Sequence, residues 1–205
     1  MTLYDISLEI NEDMISWDDK EDLKPKIDEG TRSESSGSIK SQICLDSHTG
    51  THVDAPKHFL RDGKSIDKVQ ITKLRGECRV VDCTDRKQEV KAEDVPDCEE
   101  RIVLLKTKNS ELLSQNKFAT DYVYVSENAC EKVSEYGYEA VGIDYLGIGK
   151  YGNTRPSHEA LLGNEIIVIE GLDLRDISPG SYYFTGLPLK IEGCDGSPVR
   201  AVLED

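Results

Sequence analysis

Apolar and polar positions alternate in two stretches near the start of the chain. In "YDISLEI", Tyr4, Ile6, Leu8 and Ile10 alternate with Asp5, Ser7 and Glu9, the period of a half-buried strand. "SIKSQICL" repeats the pattern through Ile39, Ile43 and Leu45. Between them Asn11 to Gly37 is polar, charged and without apolar periodicity, and reads as a long loop with room for a functional role. Further on, "ECRVVDC", "RIVLLKT", "EAVGIDYL" and "EIIVIE" are short runs rich in Val and Ile, as buried strands are, and they form the expected core. "SENACEKVSEYG" predicts a helix capped by Ser126 and stopped at Gly137, and "SHEALLG" a shorter one from Ser157 to Gly163. The tail "YYFTGLPLKIEGCDGSPVRAVL" reads as two further strands, broken by turn residues in "GCDGSP".

The fold class is therefore mixed α/β, a central sheet with few short helices. A chain of 205 residues supports one sizeable core, and residues 1–205 read as a single domain with no repeat or linker. Forty acidic against 25 basic residues give a net charge of −15, which opposes binding to nucleic acid or an anionic membrane. No apolar run reaches the roughly 18 residues of a membrane helix, and no leader-like start is present, so the expected location is cytoplasmic. Cys44, Cys78, Cys83, Cys98, Cys130 and Cys194 include no C-x-x-C pair and read as reduced thiols.

Chemistry concentrates in one place. Three of the four histidines, His48, His52 and His58, lie within "SHTGTHVDAPKHF" together with Asp54. Gly50, Pro56 and the β-branched Thr49, Thr51 and Val53 oppose a helix there. In an extended chain the four donors, each an even number of residues from the next, start out on one side. A straight strand would spread them over about 30 Å at roughly 3.3 Å per residue. The segment must bend, and Gly50 and Pro56 supply the means. Imidazole nitrogens with a carboxylate oxygen suit Zn²⁺, with Mn²⁺ or another first-row ion as the alternative; clustered surface or packing histidines would be the plain reading.

"HTGTHVDAPKHF" resembles the H-x-G-T-H-x-D-x-P-x-H-F signature of the cyclase family of metal-dependent hydrolases, which includes the bacterial kynurenine formamidases. The resemblance extends over most of the chain, through "GIDYLGIG" and "SHEALLGNEIIVIEGLDL". It implies that His48, His52 and Asp54 bind a first metal and that Asp54 is shared with a second. His158 would join the second ion and Glu170 would bridge both, giving two ions per chain. It further implies His58 as the catalytic acid/base, Trp17 as a wall of the substrate pocket, and a swivelling β/β/α architecture. "SWDD" stands where the family has Trp-Pro. His158, beside Pro156, is the one remaining histidine, and Glu170 ends the apolar run "EIIVI", where a buried carboxylate needs a partner.

The activity so implied is arylformamidase, hydrolysis of N-formyl-L-kynurenine to formate and L-kynurenine. A cyclic-amide hydrolase of the isatin type is the alternative, and a non-catalytic metal-binding protein the alternative of another class. The expected partners are a small-molecule amide and further copies of the chain, as a homodimer or homotetramer.

Overall fold

The computed structural model describes residues 1–115 and 117–205. Its strands are β1 (Leu3–Asp5), β2 (Lys26–Asp28), β3 (Gln42–Cys44), β4 (His52–Asp54), β5 (Arg75–Asp82), β6 (Glu89–Val90), β7 (Ile102–Lys106), β8 (Tyr124–Val125), β9 (Ala140–Ile143), β10 (Ile167–Glu170), β11 (Gly180–Thr185), β12 (Gly196–Pro198) and β13 (Val202–Glu204). Its helices are α1 (Asn109–Leu112), α2 (Glu127–Glu135) and α3 (Arg155–Leu162). One mixed sheet orders its strands β1-β13-β11-β5-β7-β9-β10-β4-β12. The middle four, β5, β7, β9 and β10, run parallel, and antiparallel strands extend both edges.

The inner parallel strands β7, β9 and β10 are Val- and Ile-rich and buried on both faces, whereas β5 buries Cys78 and Val80 and leaves Glu77 and Asp82 exposed. Along β7, Ile102 and Leu104 pack into one core with Val53, Ile169 and Phe184. Val103 and Leu105 face the opposite core, where α2 contributes Ala129, Cys130 and Val133 and α3 contributes Leu161 and Leu162. Val53 belongs to the first core, so its neighbours His52 and Asp54 in β4 turn to the helix-bearing face. Val168 likewise places Glu170, two residues on, toward that face.

Helix α2 matches expectation: the Ser126 hydroxyl accepts from the Ala129 N–H, and Gly137 follows the helix with φ +76°. Helix α3 starts at Arg155, ahead of the expected Ser157, because Pro156 fits a first turn that lacks N–H acceptors anyway. The alternating stretch at the N-terminus forms a ladder only over Leu3–Asp5, followed by a single bridge between Ser7 and Leu172. "SIKSQICL" contributes only β3, paired with β2 in a separate two-stranded ribbon, and leaves Ile39 and Ile43 exposed. Its period is that of a strand, but no second layer covers it. The loop Asn11 to Gly37 contains β2 and two short 3₁₀ turns, Trp17–Asp19 and Glu21–Leu23. The tail holds three strands rather than two: β12 begins inside "GCDGSP". All six cysteines are free. Among the described residues no helix is long and apolar enough to cross a membrane.

Candidate metal centre

The histidine segment curls as its glycine and proline require. Gly50 has φ +64°, a left-handed value that lets the chain turn out of His48 and enter β4. After Asp54, Pro56 opens a 3₁₀ turn over Pro56–His58 that brings His58 back. Strand β10 pairs with β4 so that Glu170 lies opposite His52. His158 enters from α3 with 3% of its surface exposed and stacks on Phe59, ring centroids 4.2 Å apart.

Two buried carboxylates sit among these rings. Asp54 Oδ1 is 2.9 Å from His48 Nδ1 and 3.5 Å from His52 Nε2, while Oδ2 is 3.4 Å from His158 Nε2. Glu170 Oε2 is 3.3 Å from His52 Nε2, and Oε1 is 3.3 Å from His158 Nε2. Each carboxylate thus offers one oxygen toward His52 and the other toward His158. His52 Nε2 and Asp54 Oδ2 are buried without a hydrogen-bond partner. Such orphaned atoms are costly unless something else satisfies them.

A divalent ion fits the donors. Nitrogen and oxygen ligands about 2.0–2.1 Å from a tetrahedral ion lie about 3.3–3.4 Å from each other, close to the separations found here. The outward nitrogens are committed elsewhere. His52 Nδ1 donates to the Gly50 carbonyl at 2.9 Å, and His158 Nδ1 donates to the Thr154 carbonyl at 2.8 Å, so in each neutral ring Nε2 keeps its lone pair for the centre. Glu170 Oε1 accepts from the Ile148 N–H at 2.6 Å.

Without an ion the cluster holds protons. Burial works against a charged His48, but the Asp54 carboxylate and the Asp195 hydrogen bond prevail and raise its pKa to about 11. His158 is raised to about 10, its own burial overcome by Asp54 and Glu170. Burial and the neighbouring Asp54 push Glu170 up, yet His158 and His52 bring it down to about 2. Asp54 lies well below the usual carboxylate range, its burial outweighed by the charge of His48 and by His158. These carboxylates stay ionised, the form in which a carboxylate can bind a cation.

His58 stands beside this group. Its ring lies 4.0 Å from that of His48, and its Nδ1 is 3.1 Å from Asp195 Oδ2. Burial dominates its surroundings and lowers its pKa, with the charge of His48 acting in the same direction. His48, His52, His58, His158 and Glu170 line a cavity of about 340 Å³ whose apolar wall includes Met14, Trp17, Leu23 and Phe59. Trp17 is braced edge-on by Phe118, centroids 4.9 Å apart.

The structure therefore gathers His48, His52, Asp54, His58, His158 and Glu170 at one point and sets Trp17 on the wall of the same cavity. Sequence reasoning missed Asp195. "GCDGSP" has the composition of a turn, and only the pairing of β12 with β4, Gly196 opposite Asp54, carries its carboxylate to His48 and His58.

The family model Cyclase, described as "Putative cyclase", matches residues 4–150. The chain belongs to the cyclase family. Among its cyclase-family relatives, a kynurenine formamidase from Salinibacter ruber is 33% identical over 210 residues, covering all of this chain and 98% of that protein. Cyclase-like protein 3 from Oryza sativa subsp. japonica is 34% identical, over 98% of this chain and 79% of that protein. A solved structure titled "Potential Metal-Dependent Hydrolase With Cyclase Activity" superposes with a TM-score of 0.86 at 32% identity, over 98% of this chain and 96% of that one. The curled mixed sheet with few helices is thus the architecture of a cyclase-family neighbour.

Proposed function

We propose that the protein is a metal-dependent amide hydrolase, and that its substrate is an aryl formamide, N-formyl-L-kynurenine, cleaved to formate and L-kynurenine. The observation that carries this reading is the pair of buried carboxylates, Asp54 and Glu170, each offering one oxygen toward His52 and one toward His158. The formamidase name of a relative matched along the whole chain supports the substrate.

In this reading His48, His52 and Asp54 would hold a first ion, Asp54 and His158 would hold a second, and Glu170 would serve both. The ion would be Zn²⁺, with Mn²⁺ as the alternative, at one to two per chain. When bound, such an ion polarises a carbonyl and makes a water acidic enough to ionise near neutral pH. The chain's own residues do the rest. Trp17, Met14, Leu23 and Phe59 hold the aryl ring and exclude water from the cavity. His58, kept neutral near pH 7 by its burial, takes a proton from the attacking water and returns it to the departing nitrogen, so that the amine leaves uncharged. Residues 1–205 act as one catalytic domain in a homodimer or homotetramer, which light scattering on the eluted protein checks.

The test is a panel of substrates with protein freed of metal and then supplied with Zn²⁺ or Mn²⁺. Aryl formamides should be cleaved faster than cyclic amides, and only with metal. Faster opening of isatin would reassign the substrate to cyclic amides, and binding of metal without turnover of any amide would leave a metal-binding protein.

A further inference from the structure

Asp195 is an acidic residue at the site that lies outside both the histidine signature and the later stretch that carries His158 and Glu170. Its carboxylate gathers three donors. Ser47 Oγ donates to Oδ1 at 2.9 Å, His48 Nε2 lies 3.0 Å from Oδ2, and His58 Nδ1 lies 3.1 Å from the same Oδ2. The backbone is pinned as well, because the Ala55 N–H donates to the Asp195 carbonyl at 2.9 Å and Gly196 pairs with Asp54. Asp195 is not placed as a ligand. It touches the outer nitrogen of His48, whose inner Nδ1 faces Asp54.

One carboxylate therefore imposes opposite tautomers on two neighbouring rings. An ionised carboxylate only accepts hydrogen bonds, so both ring nitrogens facing it must carry their protons. When an ion displaces the other proton of His48, the proton kept on Nε2 leaves the Nδ1 lone pair for the buried centre. A proton on His58 Nδ1 leaves the Nε2 lone pair on a ring that lines the cavity. An unconstrained imidazole favours the proton on Nε2, so His58 is held in its less favoured form by the contact to Asp195.

We propose that Asp195 is a positioning residue that acts at once on a metal ligand and on the proton relay, fixing His48 to present Nδ1 and His58 to present Nε2. The roles of the two histidines and the free Nδ1 of His48 rest on the reading given above; the His58 tautomer does not. Loss of a carboxylate behind a ligating histidine typically weakens metal binding by roughly 10- to 100-fold. Loss of the contact to His58 should lower kcat and leave KM nearly unchanged, since Asp195 stands behind the histidines and not on the apolar wall.

The experiment uses the full chain reconstituted with Zn²⁺ and labelled with ¹⁵N in histidine, as wild type and as Asp195→Asn, with Asp195→Ala as the second variant should the amide misfold. Long-range ¹H–¹⁵N spectra at pH 8 should show the His58 proton on Nδ1 in the wild type and shifted toward Nε2 in the variant. Chelator competition should show the variant holding Zn²⁺ about 10- to 100-fold more weakly. At saturating Zn²⁺, removing Asp195 should lower kcat strongly in the wild-type background and by less than about threefold more in a His58→Ala background, because the two act through one group. A wild-type His58 protonated on Nε2, a tautomer indifferent to the variant, or equal losses of kcat in both backgrounds would overturn the proposal. Should no amide be hydrolysed, the proposed reaction fails, while the spectra and the Zn²⁺ affinity still decide the role of Asp195.

Discussion

At the residue scale the proposed ligand set and proton relay should separate by mutation. His52→Ala or Asp54→Ala removes a donor from the buried centre and leaves its partners unsatisfied, so metal content by elemental analysis should drop together with activity and thermal stability. His58→Ala should keep its metal and lose about 10²- to 10⁴-fold in kcat, the usual contribution of general acid/base catalysis. Parallel loss of metal in that variant would make His58 a ligand. The protons held without metal add a pH dependence. With pKa values of about 11 and 10, metal-free His48 and His158 are protonated at pH 7, and an incoming ion must displace those protons. Affinity should therefore rise with pH, and titration calorimetry in buffers of different ionisation enthalpy should detect proton release on binding; an affinity flat from pH 6 to 9 contradicts this. The even spacing of His48, His52, Asp54 and His58, with Gly50 and Pro56 to bend it, marked those four as a cluster of donors in the string, while their roles, and the parts of His158, Glu170 and Trp17, came from the resemblance to the family signature. Asp195 was not legible, because nothing local marks it: its role is created by strand register with a segment distant in sequence.

At the element scale, β7, β9 and β10 were readable because strands covered on both faces must be nearly continuously apolar, and β5 through the apolar Cys78, Val80 and Val81 at its centre. Strands at the rim carry less signal. The turn-like "GCDGSP" hides the start of β12, and "SIKSQICL" shows a strand's alternation in a ribbon that covers no core. The join between β10 and the turn around Gly50 is a point where backbone geometry controls the site. Gly171, next to Glu170, has φ +70°, and a Cβ there would lie 2.3 Å from the Gly50 carbonyl oxygen. Gly171→Ala should cost about 1–3 kcal/mol in denaturant unfolding and weaken metal binding as Glu170 shifts. A variant as stable as the wild type with unchanged affinity would show that this close approach is not needed. In the loop from Asn11 to Gly37, the 3₁₀ turn carrying Trp17 contributes wall rather than chemistry. Trp17→Ala should raise KM for aryl amides while metal content stays intact.

At the scale of the whole molecule, a net charge of −15 on 205 residues opposes the compact state through self-repulsion. Raising NaCl from about 0.01 to 0.5 M screens that repulsion and should raise the Tm; an unchanged or lower Tm would show the charges already balanced by local pairing. The sheet carries its core on both faces, and the candidate centre sits where β4 and β10 bring their polar ends to the helix-bearing side, so a bound ion and the fold would support each other. The account as a whole stands on one titration. Metal-free protein is supplied stepwise with Zn²⁺ or Mn²⁺ while hydrolysis of N-formyl-L-kynurenine is followed. Activity should be absent at the start, rise with added metal and level off at one to two equivalents per chain, with formate and L-kynurenine released in equal amounts. Hydrolysis that proceeds at full rate without metal, or a fully loaded protein that leaves the formamide untouched, would contradict it.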